Sequence, residues 1–218
     1  MDPQQTRKTI MTDHVLVLGT HNQKKRLELE LLLAPLGLTL RTLDEFPDAL
    51  AVEETGTTFS ENAALKAAEQ AQHLGHWVLG EDSGLSVVPL GNAPGVYSAR
   101  YSEIEGQAAT DESNNEKLLA ELGDLPLAQR IAFYTCHMAI SDPTGKIRLC
   151  CEEVCYGRIR CSPSGSNGFG YDPLFEIAEY HRTFGELGSA IKSVLSHRSR
   201  AMRKIVPGIK ALLAAGEL

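Results

Sequence analysis

Residues 130–160 read RIAFYTCHMAISDPTGKIRLCCEEVCYGRIR. Arg130 to Ile140 and Lys146 to Arg160 alternate well enough to be two long strands. Between them Ser141-Asp-Pro-Thr-Gly145 is turn chemistry, so the two strands form an antiparallel hairpin. Working outward, His14 to Leu18 carries four apolar residues in a row, β-branched at Val15 and Val17, which predicts a central strand buried on both faces. Gly-Thr-His-Asn (19–22) breaks that strand. A helix over Lys24 to Ala34 then puts Leu27, Leu31 and Ala34 on one face, and Pro35 and Gly37 end it. Strands interleaved with helices, one strand pair being antiparallel, give an α/β fold with a mixed sheet.

The remaining elements fill this frame. A short strand is expected over Leu38 to Thr42. Thr58-Phe-Ser-Glu61 is a capping box that opens an Ala-rich helix to about Leu74, stopped by Gly75. Trp77 to Leu79 reads as a strand running into Glu81-Asp82-Ser83-Gly84. Ser113-Asn-Asn-Glu116 reads as a second capping box, opening a helix to about Leu122. Residues 162–173 form a Gly-rich loop. A last helix starts near His197 with Ser196 as N-cap, and Pro207 and Gly208 interrupt it. Residues 1–13 are expected to be a flexible extension, with residues 14–218 as the folded domain.

Composition removes several classes of function. The 218 residues are 43% hydrophobic and 22% charged, too apolar and too evenly charged for a disordered tail. A net charge of −7 disfavours a general nucleic-acid binder. The five cysteines (136, 150, 151, 155 and 161) are odd in number and contain no C-x-x-C pair, so neither a disulfide framework nor a zinc ribbon is expected. Met1 to Asp13 has no apolar core of a signal peptide, and Leu31 to Leu40, broken by Pro35 and Gly37, is too short to span a membrane. A soluble cytoplasmic protein is expected.

Four clusters carry chemistry, each where a strand stops or a helix starts, the place open α/β sheets put their ligands. Gly19-Thr20-His21-Asn22-Gln23-Lys24-Lys25 offers helix N-terminal amides and lysines to an anion such as phosphate, though it is no Walker A loop. Glu81-Asp82 ahead of Ser83-Gly84 pairs two carboxylates; something cationic is expected between them, and Mg²⁺ suits one or two carboxylates plus phosphate. One of the two could instead take a proton from an attacking water. Ser164 to Pro173 is Gly-dense and offers Phe169 and Tyr171 as rings for a base, with Asp172 held extended before proline. Lys192, Ser196, His197 and Arg198 place donors at a helix start, and Arg198 could give two hydrogen bonds to a carbonyl or phosphate. Residues 181–210 hold seven basic residues against one acidic, Glu186. Together these are the parts for hydrolysing a nucleoside polyphosphate.

At this point the chain resembles the inosine triphosphate pyrophosphatase family. The likeness runs from about Val15 to the final helix through Thr20-His-Asn-x-x-Lys25, Glu54-Thr-Gly-x-Thr-Phe-x-Glu-Asn-Ala with Lys66, and Asp82-Ser-Gly-Leu. It continues through Ala93-Pro-Gly-Val-Tyr-Ser-Ala-Arg-Tyr101, Gly165-Ser-Asn-Gly-Phe-Gly-Tyr-Asp-Pro173, and Lys192 with Ser196-His-Arg198. His21 stands where the family usually has Gly, Glu81 where it usually has Asp, and Ser164 where Arg is common. The acidic run usual before Lys192 is missing from residues 188–191.

The resemblance implies hydrolysis of ITP, dITP and XTP to the monophosphate and pyrophosphate, with Mg²⁺, by a homodimer. It also implies an elongated mixed sheet with flanking helices, one domain of two lobes around a central substrate cleft. By position, Asp82 is implied as general base and metal-linked carboxylate, with Glu54 as metal ligand and Glu81 assisting. Thr20, Asn22, Lys25 and Lys66 would hold the triphosphate beside Ser83, with His21, Gln23 and Lys24 in the same segment. Phe169, Gly170, Tyr171, Asp172, Lys192, His197 and Arg198 would form the base pocket. The rival readings are a pyrophosphatase for modified pyrimidine nucleotides, a nucleotide sensor that does not hydrolyse, and an RNA-binding module using the basic last helix.

Overall fold

The computed structural model describes residues 14–105 and 107–218; the expected extension over residues 1–13 lies outside the described residues. In chain order the elements begin with β1 (Val15–Leu18), α1 (Gln23–Leu33), β2 (Thr39–Thr42), α2 (Phe59–Leu74) and β3 (Trp77–Val87). A 3-10 turn over Gly95–Arg100 leads to α3 (Asp111–Leu122), β4 (Ile131–Ser141) and β5 (Ile147–Ile159). The chain ends with β6 (Phe175–Ile177), β7 (Arg182–Thr183), α4 (Phe184–Leu195) and α5 (His197–Ala214). The strands form one seven-stranded sheet in the order β2-β1-β3-β4-β5-β6-β7. β1 lies parallel to β2 and β3, and every other pair is antiparallel. The α/β mixed sheet read from the sequence is therefore present, and the 130–160 hairpin forms as expected, with a bulge at Ile140/Ser141.

β1 is buried on both faces as its apolar run predicts: Leu16, Val17 and Leu18 are fully inaccessible. On one face α2 packs Ala63 and Ala67 against Ala139, and Ala71 against Val17 and Val78. The opposite face carries two apolar clusters. Leu79, Met138 and Ile140 pack under Met202, Ile205 and Ile209 of α5. Leu85, Val87 and Tyr134 pack with Leu118 and Leu122 of α3 and with Phe175 and Phe184. These residues share one face because side chains alternate along paired strands. Glu81 and Ser83 fall between the two clusters in that register and leave a polar seam on this face.

Four local expectations need correction. Leu27 and Leu31 of α1 and Ala34 just past its end all face outward, and Leu29 and Leu33 are the buried residues. The helix carries leucine on every side, so periodicity could not choose the inward face. α3 opens at Thr110, whose hydroxyl accepts from Ser113 N; Ser113 sits inside the first turn. α5 continues through Pro207 to Ala214, with Pro207 on its exposed side, where the missing N–H costs least. α4 was not foreseen: Thr183 and Glu186 cap it, but Gly188 at φ 73° breaks its regularity and hid the pattern.

The largest correction concerns β3. The strand does not stop near Leu79 but runs on to Val87. Its partner β1 ends opposite Leu79, while β4 pairs with β3 through to Val87. Only one neighbour is lost there, so Glu81 to Gly84 remain strand residues at a step in the sheet. Among the described residues no helix is long and apolar enough to cross a membrane.

Candidate functional site

Beyond the end of β1 the chain turns tightly. Thr20 Oγ1 accepts from Asn22 N at 3.2 Å, and Asn22 Oδ1 caps α1 by accepting from Lys25 N at 3.0 Å. Thr20, His21, Asn22 and Lys25 thereby line a cavity together with Glu54, Lys66, Asp82, Ser83 and Arg100. Gln23 and Lys24 line neither this cavity nor its neighbour; Lys24 pairs with Asp111 at the surface, 3.0 Å away.

The floor of this cavity is an acid–base cluster set by α2 against β3. The capping box of Thr58 and Glu61 forms as read and starts the helix, so Asn62 and Lys66 share its inner face. Lys66 Nζ lies 3.1 Å from Glu54 Oε1 and 3.0 Å from Asp82 Oδ1. Asn62 Nδ2 donates to Asp82 Oδ2 at 3.3 Å and its Oδ1 accepts from Gly56 N at 2.8 Å. Burial raises the Asp82 carboxyl above its ordinary value, and Lys66 and Lys25 only partly reverse this. Burial also works against the charge on Glu54, but Lys66, Lys25 and Arg100 outweigh it and hold that carboxyl below the usual range.

Glu81 and Asp82 take different hydrogen-bonded partners, although Lys25 acts on both. As successive strand residues they point to opposite faces. Asp82 meets Lys66, while Glu81 accepts from Arg198 Nε at 3.1 Å and Nη2 at 3.0 Å, with Lys25 Nζ at 3.7 Å. Burial opposes the Glu81 charge, yet Arg198 and Lys25 hold its carboxyl well below the ordinary range.

A second cavity opens on the seam between the two apolar clusters. It shares Asn22, Lys25, Ser83 and Ala99 with the first and continues past Phe169, Gly170, Tyr171, Asp172, Lys192, His197 and Arg198. Arg198 is 1% exposed. Besides Glu81 it donates to Ser83 Oγ at 3.1 Å and to Glu28. Four of its donors are engaged, so it has one N–H to offer a ligand rather than two. Lys192 binds Asp172 Oδ2 at 2.6 Å and Glu28 Oε1 at 3.0 Å. Phe169 N also donates to Asp172 Oδ2, at 2.8 Å, and a Cβ on Gly168 would fall 1.9 Å from that oxygen. Gly168 at φ 78° is thus needed for both backbone and space.

Of the two rings expected to stack a base, Phe169 is partly exposed in the cavity, 4.3 Å from Lys192 Nζ. Tyr171 is buried in the core and donates its hydroxyl to Ser98 O at 2.8 Å. Tyr134, which no motif marked, lies in the cavity wall with His197 stacked on it at 4.6 Å. Glu28 also escaped sequence reading, because its partners Lys192 and Arg198 lie more than 160 residues away in the chain. The basic run of 181–210 forms no continuous patch. Lys192 and Arg198 are committed to buried acids, Arg200 and Arg203 to backbone carbonyls, and Lys204 to Glu153.

Two predictions follow from this packing. Gly84 lets the 3-10 turn approach β3; an added Cβ would lie 2.4 Å from Ser98 Oγ and 2.6 Å from Gly95 O. Gly84→Ala is expected to cost about 1–3 kcal/mol in chemical denaturation. His197 is buried, 4% exposed, and its Nδ1 has no hydrogen-bond partner among the described residues. Burial, then Arg198, hold its pKa well below 6.5. Below pH 6.5 the unfolded chain takes up a proton that the folded chain refuses. Stability is therefore expected to fall with pH by about 1.4 kcal/mol per pH unit from this group. His197→Gln should flatten that slope; an unchanged slope would contradict the assignment.

The described cavities can now be set beside known proteins. The family model described as "Ham1 family" matches residues 16–208. A dITP/XTP pyrophosphatase of Rhodopirellula baltica is 54% identical over 198 residues, covering 91% of this chain and 94% of that protein. One from an Exiguobacterium species is 47% identical over 190 residues, covering 87% and 94%. Among solved structures, a HAM1 protein from Coxiella burnetii superposes with a TM-score of 0.81 at 35% identity, covering 90% of this chain and 98% of that one. The matched span contains every cavity residue named above, and by sequence and fold alike the chain belongs to the Ham1 family.

Proposed function

We propose that this protein hydrolyses non-standard purine nucleoside triphosphates (dITP, XTP and ITP) to the monophosphate and pyrophosphate. The observation that carries this reading is the Glu54–Lys66–Asp82 cluster on the floor of a cation-lined cavity that opens into a second, aromatic one. The names of the relatives support the same reading. The triphosphate would lie along Thr20, Asn22, Lys25 and Lys66, with the sugar near Ser83 and the base between Phe169 and the Lys192–His197–Arg198 wall.

Mg²⁺ fits Glu54 and Asp82. Both carboxylates already converge on one cationic point, the Lys66 ammonium, and both are the hard oxygen donors this ion prefers. Among the described residues no three His, Cys, Asp or Glu side chains form a closed cage, so phosphate oxygens and water would complete the coordination. When bound, the ion would neutralise phosphate charge. Asp82, with its raised pKa, would accept the proton of a water attacking the α-phosphorus. Lys25 and Lys66 would stabilise the charge gathering on the pyrophosphate. The one free N–H of Arg198 would donate to the 6-carbonyl of hypoxanthine or xanthine. Adenine, with an amino group there, would leave that buried donor unpaired at a cost of about 1–3 kcal/mol.

The two apolar clusters flanking the seam support a single domain of two lobes around the cleft. The five free cysteines suit the reducing cytoplasm. A homodimer follows from the family resemblance. One assay tests the central claim: pyrophosphate release from ITP, dITP, XTP, GTP, ATP and dUTP, with and without Mg²⁺. Release from the first three, dependent on Mg²⁺, is expected. Preference for dUTP would move the protein to the pyrimidine class, and no release at all would leave a binding protein.

A further inference from the structure

We infer that Arg100 is a further substrate-binding residue that clamps the distal phosphates, the part of the substrate that leaves as pyrophosphate. This deepens the pyrophosphatase reading and rests on it. Arg100 lines the same cavity as Lys25 and Lys66. Its Nη1 lies 3.6 Å from Glu54 Oε2, while Lys66 holds the other oxygen, Oε1, at 3.1 Å. One carboxylate is thus bracketed by two cations. They are held very differently: the Lys66 side chain is 13% exposed and also paired with Asp82, whereas that of Arg100 is 38% exposed. On its other side Arg100 rests over the Tyr97 ring, 5.3 Å from the centroid. A guanidinium between a half-exposed ring and a long, loose carboxylate contact can turn toward a phosphate without opening the core.

The backbone beneath it is fixed. Ser98 Oγ accepts from Leu85 N at 2.8 Å and donates to Gly95 O at 2.6 Å. Asn114 Nδ2 donates to Ala99 O at 3.2 Å, and the Tyr171 hydroxyl to Ser98 O. The arginine is therefore delivered to the cavity mouth by a pinned turn with only its side chain free. That arrangement suits bidentate binding of a phosphate, which a guanidinium matches in shape. The Lys25 and Lys66 side chains are 17% and 13% exposed against 38% for Arg100, so Arg100 is the most accessible of the three cations to the outer end of a triphosphate.

The test separates the two ends of the product. Binding of sodium pyrophosphate and of IMP, each with Mg²⁺, is measured by calorimetry on the full chain and on Arg100→Ala and Arg100→Lys. Arg100→Ala is expected to weaken pyrophosphate at least about tenfold, the loss of a charge-assisted contact, and to change IMP binding less than about twofold. Arg100→Lys is expected to recover part of the pyrophosphate affinity. Unchanged pyrophosphate affinity, equal weakening of both ligands, or no pyrophosphate binding by the wild type would each overturn the assignment. Failure of the pyrophosphatase reading is a different result, namely no pyrophosphate release from dITP, ITP or XTP by the wild type.

Discussion

Replacing Asp82 with Asn is expected to lower dITP turnover by at least about a hundredfold while leaving the fold intact. Asn preserves the size of the side chain and its contact with Asn62, and Lys66 keeps Glu54 as a partner. What is lost is the group that can accept a proton. The folded carboxyl has its pKa raised by burial above 3.8, so the ionised form carries a cost that Asn removes. Asn also removes the Asp82 charge that raises the Lys66 pKa, so the two effects oppose and the melting temperature should change little as turnover collapses. The sign for wild type follows: activity should fall on the acid side as pH drops through a value above 3.8, because protonation disables the base. Pyrophosphate release and thermal melts read both quantities. Near-normal turnover by the variant would remove Asp82 from the role.

The second large effect is on stability. From the sequence alone, loss of Arg198 should harm base recognition far more than the fold. The structure reverses that weighting. Arg198 and Glu81 are 1% and 0% exposed, joined by two hydrogen bonds, and Glu28 and Ser83 complete the set. Arg198→Ala strands a buried carboxylate and is expected to cost about 3–5 kcal/mol in denaturant melts. Adding Glu81→Gln should return part of that, since the stranded charge is gone. Additive losses in the double variant would show that the pair is not the cause. The pair also sets an acid limit: with the Glu81 pKa well below 4.5, its stabilisation is present above 4.5 and is lost as pH falls through the folded value.

Much of this molecule was legible in one dimension because the signals are local. The 130–160 hairpin, the double burial of β1, the Thr58–Glu61 capping box and the Ser196 cap of α5 each depend on neighbours within a few positions, and each formed as read. The gathering of Thr20, Lys25, Lys66 and Asp82 was implied by the family resemblance and not by local signals, since Lys66 lies in the middle of α2 and Asp82 in the middle of β3. Failures came where a local signal was ambiguous. Leucine on all sides of α1 hid its buried face, and two glycines hid α4.

Composition and order of motifs thus fixed the class of fold, the anionic character of the ligand and the family resemblance. Tertiary structure alone decided the partners. Adjacent in sequence, Glu81 and Asp82 part company because a strand sends successive side chains to opposite faces, one to Arg198 and one to Lys66. Glu28 and Arg198 lie 170 residues apart, and only the packing of α1 against α5 joins them. Tyr134 enters the second cavity through strand register, and Arg100 reaches the first through a turn held by Ser98 and Asn114. The sequence holds 28 acidic residues with a net charge of −7, but only burial and pairing decide how readily each carboxyl takes up a proton.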